Sequence, residues 1–251
     1  MKYTRESLTE LIHSEISKHL EKEHFIRIER DGDVFYKRHF DWGWDYCSLN
    51  RVLFLETHIE FGINISRRYN FIEEIWQEFA SLLNINYVDS NYDLMNTIIV
   101  NHGNSAEEIK QKAYFDGSLR FEISEQGLTE VPEAIEFVME KIFKKLNELK
   151  NIKKLDELEN NMLEPPVAEN PIFWVDGGFM FKRMILAKLN GNKLYEDICN
   201  LYKNRLMKAT ELAKTPGKEY FLNYPIVFEK IYERLKNVEP LKNLILSDKT
   251  A

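Results

Sequence analysis

The sequence lacks the short motifs that mark many catalytic and nucleotide-binding sites. It contains no Gly-x-x-x-x-Gly-Lys phosphate loop, no Gly-x-Gly-x-x-Gly fingerprint, no His-Glu-x-x-His pair and no Gly-x-Ser-x-Gly elbow. Only ten of its 251 residues are glycine, and just one pair of them is adjacent. Because backbone cradles for phosphate groups usually need more glycine close together, we expect no cofactor.

Cysteine and long apolar stretches are also scarce. Cys47 and Cys199 lie far apart and have no metal-ligand spacing, which is typical of reduced thiols in a protein core. No stretch approaches the roughly 18 consecutive apolar residues that a membrane span needs. The polar start of the chain has no signal-peptide pattern. These absences predict a cytoplasmic protein that has no membrane partner.

Positive charge is scarce in the first half of the chain. Residues 1–130 carry 23 acidic and 14 basic side chains, whereas residues 131–251 carry 18 and 20, and the whole chain has a net charge of −7. An acidic surface repels the phosphate backbone of nucleic acids and attracts basic proteins. We therefore expect no nucleic-acid partner and, if a protein binds, a basic one. Alternatively, the acidity only keeps the chain in solution.

The first half contains alternating helix and strand patterns. Apolar residues at three- and four-residue spacing predict an amphipathic helix over residues 8–20. Asp31-Gly32 predicts a hairpin turn between two strands. The remaining candidates are a helix over residues 70–83 and strands over residues 94–100 and 119–123.

The clearest strand pattern covers residues 52–66. One parity is apolar and the other is polar. The apolar set is Leu53, Leu55, Ile59, Phe61, Ile63 and Ile65, and the polar set is Glu56, His58, Glu60, Asn64 and Ser66. The alternation predicts one long antiparallel strand with its apolar face on the core.

The composition changes near Thr129, where a long helix is predicted to begin with Pro132 in its first turn. Pro165-Pro166 ends this region, and further helices follow Gly178 and Pro225. We therefore predict an α+β fold, in which an antiparallel sheet with helices packed on one face is followed by a mostly helical C-terminal half. Residues 1–128 form the sheet domain, and the helical region 129–251 is either separate or packed with it as one unit.

Three ionisable residues share the polar side of the predicted long strand, namely Glu56, His58 and Glu60. A histidine between carboxylates suits general acid catalysis or a metal site, and His39 on the preceding hairpin is a further candidate. This pattern supports a hydrolase-type enzyme as the alternative function. A plain solvent-exposed sheet face explains the same alternation without catalysis or a metal ion, and we favour that interpretation.

Aromatic residues cluster in residues 41–46, between two strand patterns. Trp42, Trp44 and Tyr46 are typical anchors for a protein partner, because large rings bury much area at low entropic cost. Asp41 and Asp45 would add negative charge that attracts a cationic partner. Alternatively, the rings cover one end of the core.

Two further groups are weaker candidates. The pair Arg67-Arg68 either binds an anion or balances nearby acidic residues such as Glu73. His102, in a predicted turn, has no companion group in the local sequence.

The order of elements in the first half resembles uncharacterised bacterial families that include immunity proteins of polymorphic toxin systems. The likeness lies in the hairpin over residues 25–38, directly after an amphipathic helix, and in residues 52–66, which contain Glu60-Phe61-Gly62-Ile63. These families often have glycine before the hairpin phenylalanine, where this chain has His24. The resemblance implies a protein that binds a toxin and blocks it. We therefore predict a non-catalytic protein-binding module.

Overall fold

The computed structural model describes residues 4–30, 33–49, 52–83, 97–101, 114–115, 118–161, 163, 172–174, 178–215 and 219–247. The α-helices in these ranges are α1 (Arg5–Lys22), α2 (Asn70–Ala80), α3 (Glu125–Glu148), α4 (Ile152–Asn160), α5 (Phe179–Asn190), α6 (Tyr195–Leu212) and α7 (Asn223–Lys236). The strands are β1 (Ile26–Arg30), β2 (Asp33–Phe40), β3 (Gly43–Ser48), β4 (Val52–Phe54), β5 (His58–Phe61), β6 (Asn64–Tyr69), β7 (Ile98–Asn101), β8 (Tyr114–Phe115), β9 (Ser118–Glu122) and β10 (Ile172–Trp174).

The strands form two antiparallel sheets. The larger sheet has the order β1-β2-β3-β6-β7-β10, and the smaller has the order β4-β5-β9-β8. Strand β10 comes from the second half of the chain and pairs with β7. The other described elements of the second half are helices, so the predicted α+β class is confirmed.

Residues 52–66 do not form one strand, and that prediction is wrong. They form β4, β5 and the start of β6, and β6 belongs to the larger sheet while β4 and β5 belong to the smaller one. A two-residue turn at Glu56-Thr57 closes the β4–β5 hairpin, with the Leu55 amide donating to the His58 carbonyl at 2.9 Å. Alternation shows which side of a strand each residue lies on. A turn of two residues does not interrupt the alternation, so the pattern does not reveal the turn.

Helix α1 begins and ends with recognisable caps. Its capping box consists of Thr4 and Ser7, since the Thr4 Oγ1 accepts from the Ser7 amide at 3.2 Å. At the other end, the Phe25 amide donates to the Leu20 carbonyl at 3.0 Å. His24 adopts a left-handed φ of 65° in this turn, a position that favours glycine.

Helices α1 and α3 pack together, and both contribute apolar side chains to the core. Helix α3 begins at Glu125, after the Ser124 cap, rather than near Thr129. Pro132 therefore lies inside the helix and not in its first turn. Asn151 caps the separate helix α4, so the predicted long helix is two helices.

The segment of residues 241–247, here called the C-terminal strap, connects distant elements. The Leu241 amide donates to the Leu189 carbonyl at 2.8 Å, and the Leu246 amide donates to the Lys150 carbonyl at 2.9 Å. The Trp42 Nε1 donates to the Ser247 carbonyl at 2.8 Å. The strap therefore links the α5 end, the α3–α4 junction and the β2–β3 turn.

Gly43 lies where two backbones approach closely. A Cβ at this position would lie 1.9 Å from the Arg68 carbonyl oxygen, whereas a Cβ at Gly62 has no atom within 4 Å. We expect Gly43→Ala to lower the free energy of unfolding by about 2–4 kcal/mol, because β3 and β6 must move apart. The matched control, Gly62→Ala, should change it by less than about 1 kcal/mol. Urea unfolding followed by circular dichroism measures both, and equal effects would contradict the close approach.

Candidate functional site

The structure does not assemble the predicted catalytic residues into one site. Glu56 lies in the β4–β5 turn and is exposed, while His58 and Glu60 lie on β5. His39 lies on β2 in the other sheet, opposite Trp44. Glu56 therefore does not share a strand face with His58 and Glu60, and His39 is in a different sheet from them.

The individual contacts on β5 also differ from those of an acid–base pair. His58 Nδ1 lies 2.6 Å from the Thr57 hydroxyl, and Glu60 Oε1 lies 3.9 Å from Arg120 Nε. In the ranges that the structure describes, no group of three or more His, Cys, Asp or Glu side chains is placed to hold a metal ion.

Residues 41–46, interpreted either as partner anchors on a loop or as a cover for one end of the core, form a tight turn and the start of β3. Trp42 and Tyr46 are both 8% exposed, and Asp45 is completely buried. The structure thus places these three side chains in the folded interior and not on a docking surface. Asp41 is exposed and Trp44 is half-buried.

Asp45 is the centre of a buried ionic cluster. Strand register places Arg38, Asp45 and Arg67 directly opposite one another on β2, β3 and β6. The Asp45 carboxylate accepts two hydrogen bonds from Arg67, from Nε at 2.6 Å and from Nη2 at 2.8 Å. It also accepts one from the Arg38 Nη2 at 2.8 Å. This arrangement compensates the buried charge with well-oriented donors.

The two arginines extend the cluster to both neighbouring helices. Arg67 Nη1 donates to the Leu146 carbonyl of α3 at 2.5 Å, and its guanidinium lies 5.1 Å from the Trp42 ring centroid. Arg38 Nη1 donates to the Glu23 carbonyl at the end of α1 at 3.0 Å. The prediction that Arg67 binds an anion or balances Glu73 is therefore corrected, because Asp45 is its partner.

Burial and charge act in opposite directions on Asp45. Burial alone would raise the pKa of its carboxyl, but the Arg67 and Arg38 guanidinium groups outweigh it and hold the pKa below its ordinary value. Burial raises the pKa of the neighbouring Tyr69 to about 12. Asp45 is thus ionised, and Arg67 and Arg38 balance its negative charge inside the protein.

The surroundings of Trp44 are cationic. The Lys37 Nζ lies 4.3 Å from the Trp44 ring centroid, and the Arg68 guanidinium carbon lies 4.7 Å from it. That Asp41 and Trp44 contact a partner stays a prediction, and His102 lies outside the described residues.

A cleft of about 450 Å³ between α1 and β4 was not predicted. Its lining consists of Arg5, Glu6, Thr9, Glu10 and His13 from α1 and Phe54 from β4. The α1 residues lie along one flank of the buried stripe of the helix, so Thr9 and His13 are only partly exposed. Phe54 lies at the end of β4, just before the turn at Glu56-Thr57, and interpreting residues 52–66 as one strand did not predict this hairpin.

Three features define the chemistry of this α1–β4 cleft. The Phe54 ring is 53% exposed and forms an apolar surface. Burial lowers the pKa of His13, although a hydrogen bond with the Leu49 backbone partly offsets this. Its Nε2 is buried and has no hydrogen-bond partner among the described residues. Arg5 is directed at the hairpin, since its Nη2 donates to the Leu55 carbonyl at 2.9 Å.

No family model, curated protein or solved structure matches this chain. Within the described ranges, no helix combines the length and the apolar composition needed to cross a bilayer.

The buried cluster gives a clear stability prediction. We expect Asp45→Asn to lower the free energy of unfolding by about 3–5 kcal/mol, because two buried guanidinium groups lose their counter-charge. The control Asp41→Asn, on the exposed turn residue, should change it by no more than about 0.5 kcal/mol. Urea unfolding at neutral pH measures both.

The same cluster predicts a pH dependence. Because the folded-state pKa of Asp45 is lowered, its contribution is present above the unfolded value, near 3.9, and is lost as pH falls through the folded value. The stability difference between the wild type and Asp45→Asn should therefore shrink in acid. A difference that stays constant down to the folded-state pKa would contradict the charge-based explanation.

Proposed function

We propose that this chain is a non-catalytic protein-binding module that accepts a basic side chain of a protein partner in the α1–β4 cleft. The observation that carries the proposal is the exposed Phe54 ring in one cleft with the carboxylates of Glu6 and Glu10. An apolar surface combined with opposite charge is what an arginine side chain requires.

Phe54, Glu6 and Glu10 are complementary to an arginine, while the Arg5 guanidinium is directed at the Leu55 carbonyl. The guanidinium stacks on the Phe54 face, while Glu6 and Glu10 accept its hydrogen bonds. The pKa of Glu6 is lowered by a backbone hydrogen bond and by Thr4, which keeps the carboxylate charged. The His13 ring also lines the cleft, and its lowered pKa keeps it neutral, so it adds no positive charge that would oppose an arginine.

The charge of the whole chain favours the same kind of partner. The net charge of −7 and the excess of acidic residues over residues 1–130 attract a basic protein before contact. Such attraction raises the association rate more than the final affinity, and salt weakens it. Neutralising a basic toxin, the role that the helix–hairpin resemblance implies, is one form that this binding would take.

A peptide pair tests the proposal without a known partner. We expect a short peptide of alternating arginine and glycine to shift the NMR signals of the His13 ring and of the amides of residues 5–13. The matched citrulline peptide, which has the same shape without the charge, should not shift them. We expect Glu10→Gln to weaken arginine-peptide binding roughly three- to tenfold, because one ion pair is lost.

Glu21→Gln is the control for net charge, because Glu21 is exposed on the same helix and lies outside the cleft. It should weaken binding much less than Glu10→Gln does. Equal effects of the two variants, or equal binding of the arginine and citrulline peptides, would refute the cleft as the site.

Acidification gives an independent measurement. Below its lowered pKa, His13 takes up a proton, and its positive charge repels the guanidinium. We therefore expect arginine-peptide affinity to fall as pH decreases through the His13 pKa, and bound peptide to lower that pKa further. A peptide-dependent rise in the His13 pKa, measured by NMR, would have the wrong sign.

A further inference from the structure

In the part of the chain that the structure describes, β1 is an edge strand of the larger sheet. Among the described residues its one neighbouring strand is β2. Ile26 is 65% exposed and Ile28 is 37% exposed, although both lie within a strand. An exposed apolar edge with free backbone groups is suited to pairing with another strand.

The outer face of this edge continues an apolar row of the sheet. Ile28 lies opposite Phe35 on β2, and the Phe35 ring stacks on Tyr46 of β3 with ring centroids 5.5 Å apart. The row therefore ends at the edge of the sheet with Ile28, which is 37% exposed. A further strand there that presents an apolar residue would extend the row and cover Ile28.

The opposite face of β1 carries both signs of charge. Arg27 and Glu29 lie on the same side of the strand, because they are two residues apart. Both are exposed, and the Arg27 Nη2 lies 2.6 Å from the Glu29 Oε1. A strand that pairs here is favoured when it places a negative side chain opposite Arg27 and a positive side chain opposite Glu29.

A second copy of β1 provides that match. In an antiparallel pair of identical strands, the two-fold axis passes through one residue position, because facing residues must share both parity and hydrogen-bonding type. An axis through Ile28 places Arg27 opposite Glu29 of the second copy, and Glu29 opposite Arg27 of that copy. An axis through Arg27 or Glu29 instead places like charges face to face, which is unfavourable.

We propose that the β1 edge is a homodimer interface, in which two copies pair antiparallel about Ile28 and join their larger sheets into one. The pairing makes two reciprocal ion pairs on one face and an Ile28–Ile28 contact on the other. It also provides partners for the open backbone groups of both edges. The interface does not involve the α1–β4 cleft, so it is independent of the proposed function.

Charge reversal tests the register directly. Sedimentation velocity over a concentration series should show a monomer–dimer equilibrium for the wild type. Arg27→Glu and Glu29→Arg should each weaken self-association on the order of tenfold or more, because both ion pairs become repulsive. The double variant R27E/E29R restores both pairs and should dimerise as the wild type does.

Mixing the two single variants is the decisive control. Each is repelled by its own copies, but the R27E strand and the E29R strand are fully complementary, so an equimolar mixture should form a heterodimer. A wild type that stays monomeric at all concentrations, even if β1 pairs with a strand of a different protein, would overturn the proposal. A dimer that is insensitive to R27E, or a mixture that stays monomeric, would overturn it as well.

Discussion

The interaction on which the rest of the sheet depends is the cross-strand ionic cluster of Arg38, Asp45 and Arg67. It fixes the register of β2, β3 and β6. The bidentate contact of Arg67 with Asp45 and the hydrogen bond of Arg38 with Asp45 form only when the three positions face one another. The same arginines donate to backbone carbonyls at the end of α1 and near the end of α3. A buried carboxylate without these partners would be strongly destabilising, so alternative registers are penalised.

Charge inside the core also connects the two halves of the chain. Glu73 of α2 lies 2.9 Å from Lys182 of α5, and both side chains are completely buried. Beside them the Trp76 and Phe181 rings stack with centroids 5.3 Å apart. The apolar and ionic contacts between α2 and α5 together hold the helical region against the sheet.

Local patterns in the sequence were enough to predict α1, the first hairpin and the α+β class, because helix and hairpin signals depend on residues close in sequence. The turn at Glu56-Thr57 has no glycine or proline, so the sequence contains no turn signal there and the alternation predicts one continuous strand. The β4–β5 hairpin that carries Phe54 was therefore not predicted. The role of Asp45 required knowing that β6 pairs with β3, a contact between distant segments that local pattern cannot supply. Its neighbouring tryptophans fitted either a partner site or a cover for the core, and in the fold the Trp42 ring lies against the buried Arg67 guanidinium.

The C-terminal strap has a consequence for biosynthesis. The hydrogen bond from Trp42 to Ser247 joins residues 205 positions apart. Close to Ser247 in sequence, the Leu244 carbonyl accepts from the Ile152 amide and the Leu246 amide donates to the Lys150 carbonyl, both at the α3–α4 junction. Contacts of such long sequence separation form late, since the intervening chain must be ordered first. Until residues 241–247 have been synthesised and have docked, the indole of Trp42 and the end of the core beneath it are uncovered.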